Sequence, residues 1–263
     1  MTITAMTVLC VDFYEQQGLV LVGGNSVNFA TQCRQNGVSD VALIGAIGDD
    51  TYGKDILAYV DKRGIDRSHV QVLPGKTASN RILINEQGDR YFPPNAWDGG
   101  VYQDFRLTEA DWEFALSRDL IAIPANNINF QESLQRKTPH NVLACDFLDL
   151  RDFDLMEQTI PRMDLAFISG DEAMLQLAQR LSRTCSTIIT VTLGAQGSVS
   201  WHRGQRIAVP AVAVAEVKDT TGCGDAYQAA FCVSFYQNRD IQAAMQAGSA
   251  AAAAILSHIG AVS

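Results

Sequence analysis

Apolar positions along this chain recur in two ways: every second residue over short runs, and every third or fourth over longer ones. Thr7 to Phe13 and Gly18 to Val22 read as strands, and Gly23-Gly24-Asn25-Ser26 breaks the chain before a helix predicted over Val27 to Asn36. Val41 to Ile47 is a continuous apolar run, the pattern of a strand covered on both faces, followed by a helix over Tyr52 to Arg63. Val70 to Leu73, Ala78 to Asn85 and Arg90 to Phe92 alternate, with Gln87-Gly88-Asp89 as a hairpin-like turn. From Leu120 onward strand candidates at Leu120 to Ile123, Asn141 to Phe147, Leu165 to Ser169 and Thr187 to Thr192 are separated by helical stretches. That rhythm predicts an α/β fold: right-handed crossovers, a doubly wound and mainly parallel central sheet, and helices on both faces. Ile207 to Val217 alternates again, Ala226 to Tyr236 has the spacing of a buried helix, and Ile241 to Gly260 reads as alanine-rich helix.

Composition narrows this picture. With 263 residues, 47% hydrophobic and 19% charged, the chain has enough apolar material for one large domain, and a disordered chain is excluded. A net charge of −9 argues against nucleic acid or an anionic membrane as the main partner. The six cysteines, Cys10, Cys33, Cys145, Cys185, Cys223 and Cys232, are scattered and mostly sit in apolar runs, so buried thiols in a reducing, cytoplasmic setting fit better than disulfides or a zinc site.

Chemistry concentrates in Asp219-Thr220-Thr221-Gly222-Cys223-Gly224-Asp225, which opens the helix at Ala226. A helix N-terminus offers unpaired N–H groups and the positive end of the helix dipole, and glycine lets the backbone approach an anion closely. Asp225 would repel a phosphate there unless it accepts a proton from a hydroxyl attacking that phosphate. As plain structure the same string is a capped helix. The electropositive terminus would also make the Cys223 thiol unusually reactive. No G-x-x-x-x-G-K-S/T motif is present, and no G-x-G-x-x-G follows the first strand, which speaks against a P-loop enzyme and a nicotinamide oxidoreductase.

The Asp-Thr-Thr-Gly-Cys-Gly-Asp string resembles the C-terminal signature of the ribokinase-like (PfkB) carbohydrate kinases, with Cys223 where alanine is usual. Gly-Gly-Asn-Ser-Val-Asn-Phe-Ala resembles their N-terminal motif, and Ile-Gly-Asp-Asp-Thr-Tyr-Gly a further block of theirs. The resemblance covers the whole chain and implies a single ribokinase-like domain over residues 1–263, with lid strands from about 12–22 and 77–95. It implies an ATP- and Mg²⁺-dependent sugar kinase in which Asp225 is the general base and the amides of Gly222, Cys223 and Gly224 form an anion hole. Asp12, Gly23, Gly24 and Asn28 would hold sugar hydroxyls. Thr192, Gly194 and Gly197 match a nucleotide block, with Gly222 and Gly224 at the phosphates. Ser169 stands where the family has a nucleotide-side asparagine, and Glu172 matches a glutamate that holds magnesium through water. Ser169-x-x-Glu172 is equally a capping box on its face. Asp219 matches the residue that orders a monovalent-cation loop, which leaves a potassium requirement open.

Within the family, Val11-Asp12-Phe13-Tyr14, Gly100-Val101-Tyr102-Gln103-Asp104-Phe105 and Asp146-Phe147-Leu148-Asp149 are most similar to the bacterial fructoselysine 6-kinases. That likeness implies a zwitterionic fructosamine substrate, for whose carboxylate Arg81 or Arg90 on the lid is a candidate. Kinases of free sugars or nucleosides, and a catalytically silent binding protein on the same fold, are the competing expectations. Homodimerisation through the lid is compatible with the mixed face of Arg81 to Phe92.

Overall fold

A computed structural model describes residues 1–262. The chain begins with β1 (Thr2–Thr7), β2 (Cys10–Tyr14) and β3 (Leu19–Gly23), then α1 (Asn25–Gln35), β4 (Asp40–Gly48), α2 (Thr51–Lys62) and β5 (Asp66–Leu73). β6 (Ala78–Ile84) and the short strands β7 (Arg90–Tyr91) and β8 (Trp97–Asp98) follow. From α3 (Glu109–Leu116) the elements alternate as β9 (Leu120–Pro124), α4 (Phe130–Arg136), β10 (Val142–Asp146), α5 (Phe153–Thr159), β11 (Leu165–Ser169), α6 (Glu172–Leu181) and β12 (Ile188–Thr192). A hairpin of β13 (Ser198–His202) and β14 (Gln205–Val209) precedes α7 (Cys223–Asn238) and α8 (Ile241–Ile255).

The strands form two sheets. The large one has nine strands in the order β14-β13-β12-β11-β10-β9-β1-β4-β5, parallel from β12 to β5 and antiparallel in the terminal hairpin. Its order reverses beside β1: the chain adds β4 and β5 on one side, then returns to place β9 on the other. The crevice at the carboxyl ends of β1 and β9 is therefore where a doubly wound sheet collects its ligands. The second sheet runs β3-β2-β6-β7, with β8 also paired to β6.

Both faces of the large sheet are covered, and alternation along each strand shows it. In β11, Leu165 and Phe167 join the core beneath α1, α2, α7 and α8, while Ala166 and Ile168 join the core beneath α3 to α6. The doubly wound α/β architecture read from the sequence is thus the observed one. Among the described residues no helix is long and apolar enough to cross a membrane.

Three strand boundaries differ from the sequence reading. Thr7 to Phe13 is two strands of different sheets: the chain leaves β1 at Thr7, whose φ is 107°, and re-enters as β2. The continuous apolar character of Leu9 and Val11 hides that corner. Val70 to Leu73 is the second half of a longer strand, β5, which begins at Asp66 and lies parallel to β4 at the edge of the large sheet. A helix separates β4 from β5, which makes the parallel crossover the natural connection. Finally, alternation in the sequence runs from Ile207 to Val217, but β14 ends at Val209, because Pro210 has no N–H to continue the ladder.

The small sheet is tied to the large one at the end of β4. Asp50 caps α2 through Gly53 N–H at 2.8 Å and also accepts from Thr77 N–H at 2.9 Å and Thr77 Oγ1 at 2.6 Å. The same Thr77 hydroxyl accepts from Gly48 N–H at 3.0 Å, and Thr77 is buried. Replacing Thr77 by Val keeps the shape and removes both bonds, leaving a buried N–H without a partner. We expect a loss of about 2 kcal/mol, read as a lower urea midpoint at an unchanged slope.

Candidate active site

The cleft between the two sheets is built on a crossing of backbone segments. Gly24 has φ 97°, and a Cβ there would sit 2.6 Å from Val8 O; Ser26 N–H donates to that carbonyl at 3.2 Å. α1 is thereby pinned against the β1–β2 corner, and its first turn projects into the cleft. A Cβ on Gly23 would lie 2.1 Å from Asp12 Oδ2. The first glycine exists to make room for that carboxylate.

Asp225, in the first turn of α7, is half-buried, and both its oxygens are gripped by amides of α1. Asn25 Nδ2 donates to Oδ1 at 2.6 Å and Asn28 Nδ2 to Oδ2 at 2.8 Å. Asn25 Nδ2 also donates to Asp146 Oδ2 at 2.9 Å, joining a carboxylate at the end of β10 to the one on α7. Asp146 is buried and accepts from Leu148 N–H at 2.8 Å; Leu148 itself has φ 54°, a costly backbone state for a branched residue. Asn28 Oδ1 is out of contact with water and has no partner among the described residues. It is an acceptor aimed at something that donates.

Burial dominates the proton affinities here. It pushes Asp225 up to about 7 despite the Asn28 bond, with Asp146 raising it further and Arg90 lowering it. Asp12 is likewise pushed up to about 7 by burial, against the opposing effects of Arg90 and the Cys10 thiol. Asp146 is raised by burial and restrained by its bonds to Gln228, Leu148 and Asn25. A base with an affinity near neutrality is matched to proton transfer at that pH. The Cys223 thiol departs from the expectation of enhanced reactivity, because burial pushes it up to about 12.

Next to Asp225 the start of α7 is open. Its N-cap, Gly222, is left-handed at φ 80° and supplies no side-chain cap. A Cβ on Gly222 would meet Ala261 Cβ at 2.4 Å, whereas one on Gly224 would find only Gln228 Nε2, at 4.0 Å. The space above Gly224 is therefore free for an anion. Cys223 N–H bends back to Thr220 O at 3.3 Å, so Gly224 and its successor carry the unpaired donors of the helix end.

Along the same sheet edge, Ser169 and Thr192 end β11 and β12 in register with each other. Gly194, φ 56°, begins a turn with nothing within 4 Å of its Cβ position, while Gly197, φ 91°, would strike Val209 O at 2.2 Å. Gly194 faces open space and Gly197 serves the turn. α6 is capped by Asp171, which accepts from Ala173 N–H at 3.0 Å and Met174 N–H at 3.2 Å, so Ser169-x-x-Glu172 is not a capping box. Glu172 stands exposed, and among the described residues its carboxylate accepts only from Gln176 Nε2, at 3.3 Å.

Three further candidates from the sequence, Arg81, Arg90 and Asp219, are placed as follows. Arg81 pairs with Glu15 on the exposed surface, Nε to Oε1 at 2.7 Å and Nη2 to Oε2 at 3.0 Å. In the small sheet Arg81 is in register with Phe13, whereas Asn80 is in register with Asp12; Arg81 thus points away from the cleft. Arg90 has the opposite parity, in register with Ile84, and takes the cleft side. Asp219 accepts from Tyr14 Oη at 2.8 Å, Gly260 N–H at 2.8 Å, Thr221 N–H at 2.8 Å and Thr221 Oγ1 at 2.6 Å. Those four donors satisfy both its oxygens. Its role is to tie β2, the loop before α7 and the C-terminal tail together. Among the described residues no three His, Cys, Asp or Glu side chains cluster as a metal site.

Asn25, Asp146 and Asn80 were not singled out from the sequence. Asn25 lies inside the Gly-Gly-Asn block, where only the second asparagine drew attention. Asp146 carried two signals: it opens the Asp146-Phe147-Leu148-Asp149 block, and it is a lone carboxylate ending an apolar strand run.

The pfkB family carbohydrate kinase pattern matches residues 8–147 and 154–263. Fructoselysine 6-kinase of Shigella flexneri is 32% identical over 256 residues, covering 96% of each chain. Fructoselysine 6-kinase of Escherichia coli (strain K12) is 31% identical with the same coverage. Among solved structures, ribokinase from Thermotoga maritima has a TM-score of 0.81 at 18% identity, covering 99% of this chain and 95% of that chain.

The raised carboxyls also govern stability. Asp12 is protonated more readily in the folded chain than in the unfolded one, so its contribution is fully present below the ordinary carboxyl range near pH 4 and is lost as pH rises through about 7. We expect Asp12→Asn to melt at the wild-type temperature near pH 4 and above it at pH 8, as followed by circular dichroism.

Proposed function

The chain belongs to the pfkB family of carbohydrate kinases, and from that premise we propose that it transfers the γ-phosphate of ATP to the 6-hydroxyl of a fructosamine, with fructoselysine as the substrate. That it is an ATP-dependent sugar kinase follows from the family; the fructosamine is our reading, supported by the two fructoselysine 6-kinases at 31% and 32% identity. The observation that carries the mechanism is Asp225, clamped by Asn25 and Asn28 beside an uncapped helix end.

In this reading Asp225 accepts the proton as the O–H bond of the attacking hydroxyl breaks, the new O–P bond forms, and the bond to the departing nucleoside diphosphate is lost. Its affinity near 7 lets it take that proton without being so basic that it starts out protonated at higher pH. The free donors at the start of α7 stabilise the charge of the transferred group, each well-placed one worth on the order of 3 kcal/mol. Arg90 adds a cation: its backbone N–H donates to Thr220 Oγ1 at 3.1 Å, and its side-chain charge acts on Asp225, Asp146, Asp12 and Cys223. Asp12 and the unpartnered Asn28 Oδ1 receive sugar hydroxyls, and the small sheet covers them as a lid. Ser169, Thr192 and Gly194 border the nucleotide side. Glu172, exposed and nearly free, is the carboxylate that would hold magnesium through water, and that ion supplies neutralisation of the phosphate charge.

Asp225→Asn should keep the circular dichroism spectrum and nucleotide binding while lowering kcat by at least roughly a hundredfold; near-normal turnover removes Asp225 from the base role. In the wild type kcat/KM should rise with pH through about 7, since the base acts only when deprotonated. A panel with ATP, Mg²⁺ and fructoselysine, fructose, ribose or adenosine tests the substrate. Preference for a free sugar or a nucleoside overturns the fructosamine and leaves the kinase standing.

A further inference from the structure

The cleft continues past the sugar-hydroxyl residues, away from Asp225. Register across the small sheet places Leu21, Asp12, Asn80 and Trp97 in one row over β3, β2, β6 and β8, all on one face. Neighbouring strands lie about 4.8 Å apart, so Asp12 and Trp97 are roughly 10 Å from one another. At the inner end, Asp12 abuts Gly23 and through it the Asn25 and Asn28 clamp on Asp225. At the outer end stands an aromatic ring. The row therefore has a direction, leading from the phosphoryl site outward.

Two of its members are poorly explained by the fold alone. Asn80 Oδ1 is out of contact with water and has no partner among the described residues. An amide oxygen left so costs free energy unless a ligand donor fills it. Trp97 is 44% exposed, whereas Trp112 and Trp201 are 1% and 4% exposed. Its ring is nevertheless held in place, edge to face with Tyr102 at 5.9 Å. Gly99 leaves room for Gln103 and for the indole, since a Cβ there would come 2.9 Å from Gln103 Cβ and 3.3 Å from Trp97 Nε1. A carboxylate, an unfilled acceptor and a fixed indole face in sequence are groups that recognise an ammonium carrying an alkyl chain.

We infer that Asn80 and Trp97 extend the sugar site into a subsite for the amine arm of the substrate, with Asp12 shared between a sugar hydroxyl and the neighbouring C1 ammonium: the ammonium lies between Asp12 and Asn80, and its attached chain over the indole of Trp97. The inference rests on the fructosamine reading above and extends it, because it orients the ketose with its 6-hydroxyl at Asp225 and its C1 end outward. A free ketose has no group to place on Trp97. Trp97 and Asn80 are thus specificity residues, acting on which substrate binds and not on the transfer itself.

The test compares the wild type with Trp97→Leu and Asn80→Ala, using fructoselysine as substrate and fructose as substrate or competitor. Trp97 is exposed, so its replacement leaves the core intact, and Asn80→Ala provides a second route. We expect KM for fructoselysine to rise on the order of tenfold in each variant, with kcat within about twofold and the fructose constants unchanged. Fructoselysine should also quench the tryptophan fluorescence of the wild type without ATP, and Trp97→Leu should lose that quenching. Wild-type turnover of fructoselysine with variants that match it, or that lose fructose equally, overturns the subsite alone. No wild-type turnover of fructoselysine overturns the fructosamine reading and the subsite with it.

Discussion

One amide group holds the cleft together. Asn25 Nδ2 touches Asp225 and Asp146 at once, drawing together the start of α1, the end of β10 and the first turn of α7, which lie 121 and 200 residues from Asn25 along the chain. Burying several carboxylates near one another is unfavourable, because each is desolvated and each repels the next. The fold tolerates this by lending them amide donors, a backbone N–H from a strained Leu148 and the nearby charge of Arg90. What remains uncompensated appears as raised proton affinity. A group proposed to take a proton from a sugar hydroxyl benefits from that raised affinity, so the same arrangement that destabilises the cleft at high pH suits the proposed chemistry.

The glycines separate into two kinds once the atoms around them are known. Gly23, Gly24, Gly197 and Gly222 are glycine because protein occupies the place of a side chain: Asp12, Val8, Val209 and Ala261 respectively. Gly194 and Gly224 have open space there. Only the second kind can be owed to a ligand. A motif that resembles a binding signature is therefore partly a packing constraint, and the ligand-facing amides are fewer than the string of glycines implies.

Much of this was readable from the residue pattern. The alternation of apolar runs with helical stretches after Leu120 predicts the parallel sheet, and the Asp-Thr-Thr-Gly-Cys-Gly-Asp string marks the helix start with its acidic residue. What escaped the pattern was contact between distant segments. Nothing in the sequence says that Asn25 reaches across to Asp146, or that Asp219 is filled by Tyr14 and the C-terminal Gly260. The corner at Thr7 was invisible because both sides of it are apolar, one strand serving the large sheet and the next the small one.

The two lid arginines show most sharply what register adds. Arg81 and Arg90 sit on paired antiparallel strands and look equivalent in the sequence. Ile84 pairs with Arg90, and Ile84 is three residues from Arg81, so the two arginines must lie on opposite faces. Charge and distance agree with that parity. Arg81 forms an exposed ion pair with Glu15, an arrangement that contributes little in water. Arg90 acts on the buried carboxylates instead. The same counting carries Asp12 to Asn80 and Trp97, because a sheet whose side chains alternate strictly allows one residue known to face the cleft to fix the facing of every residue in register with it.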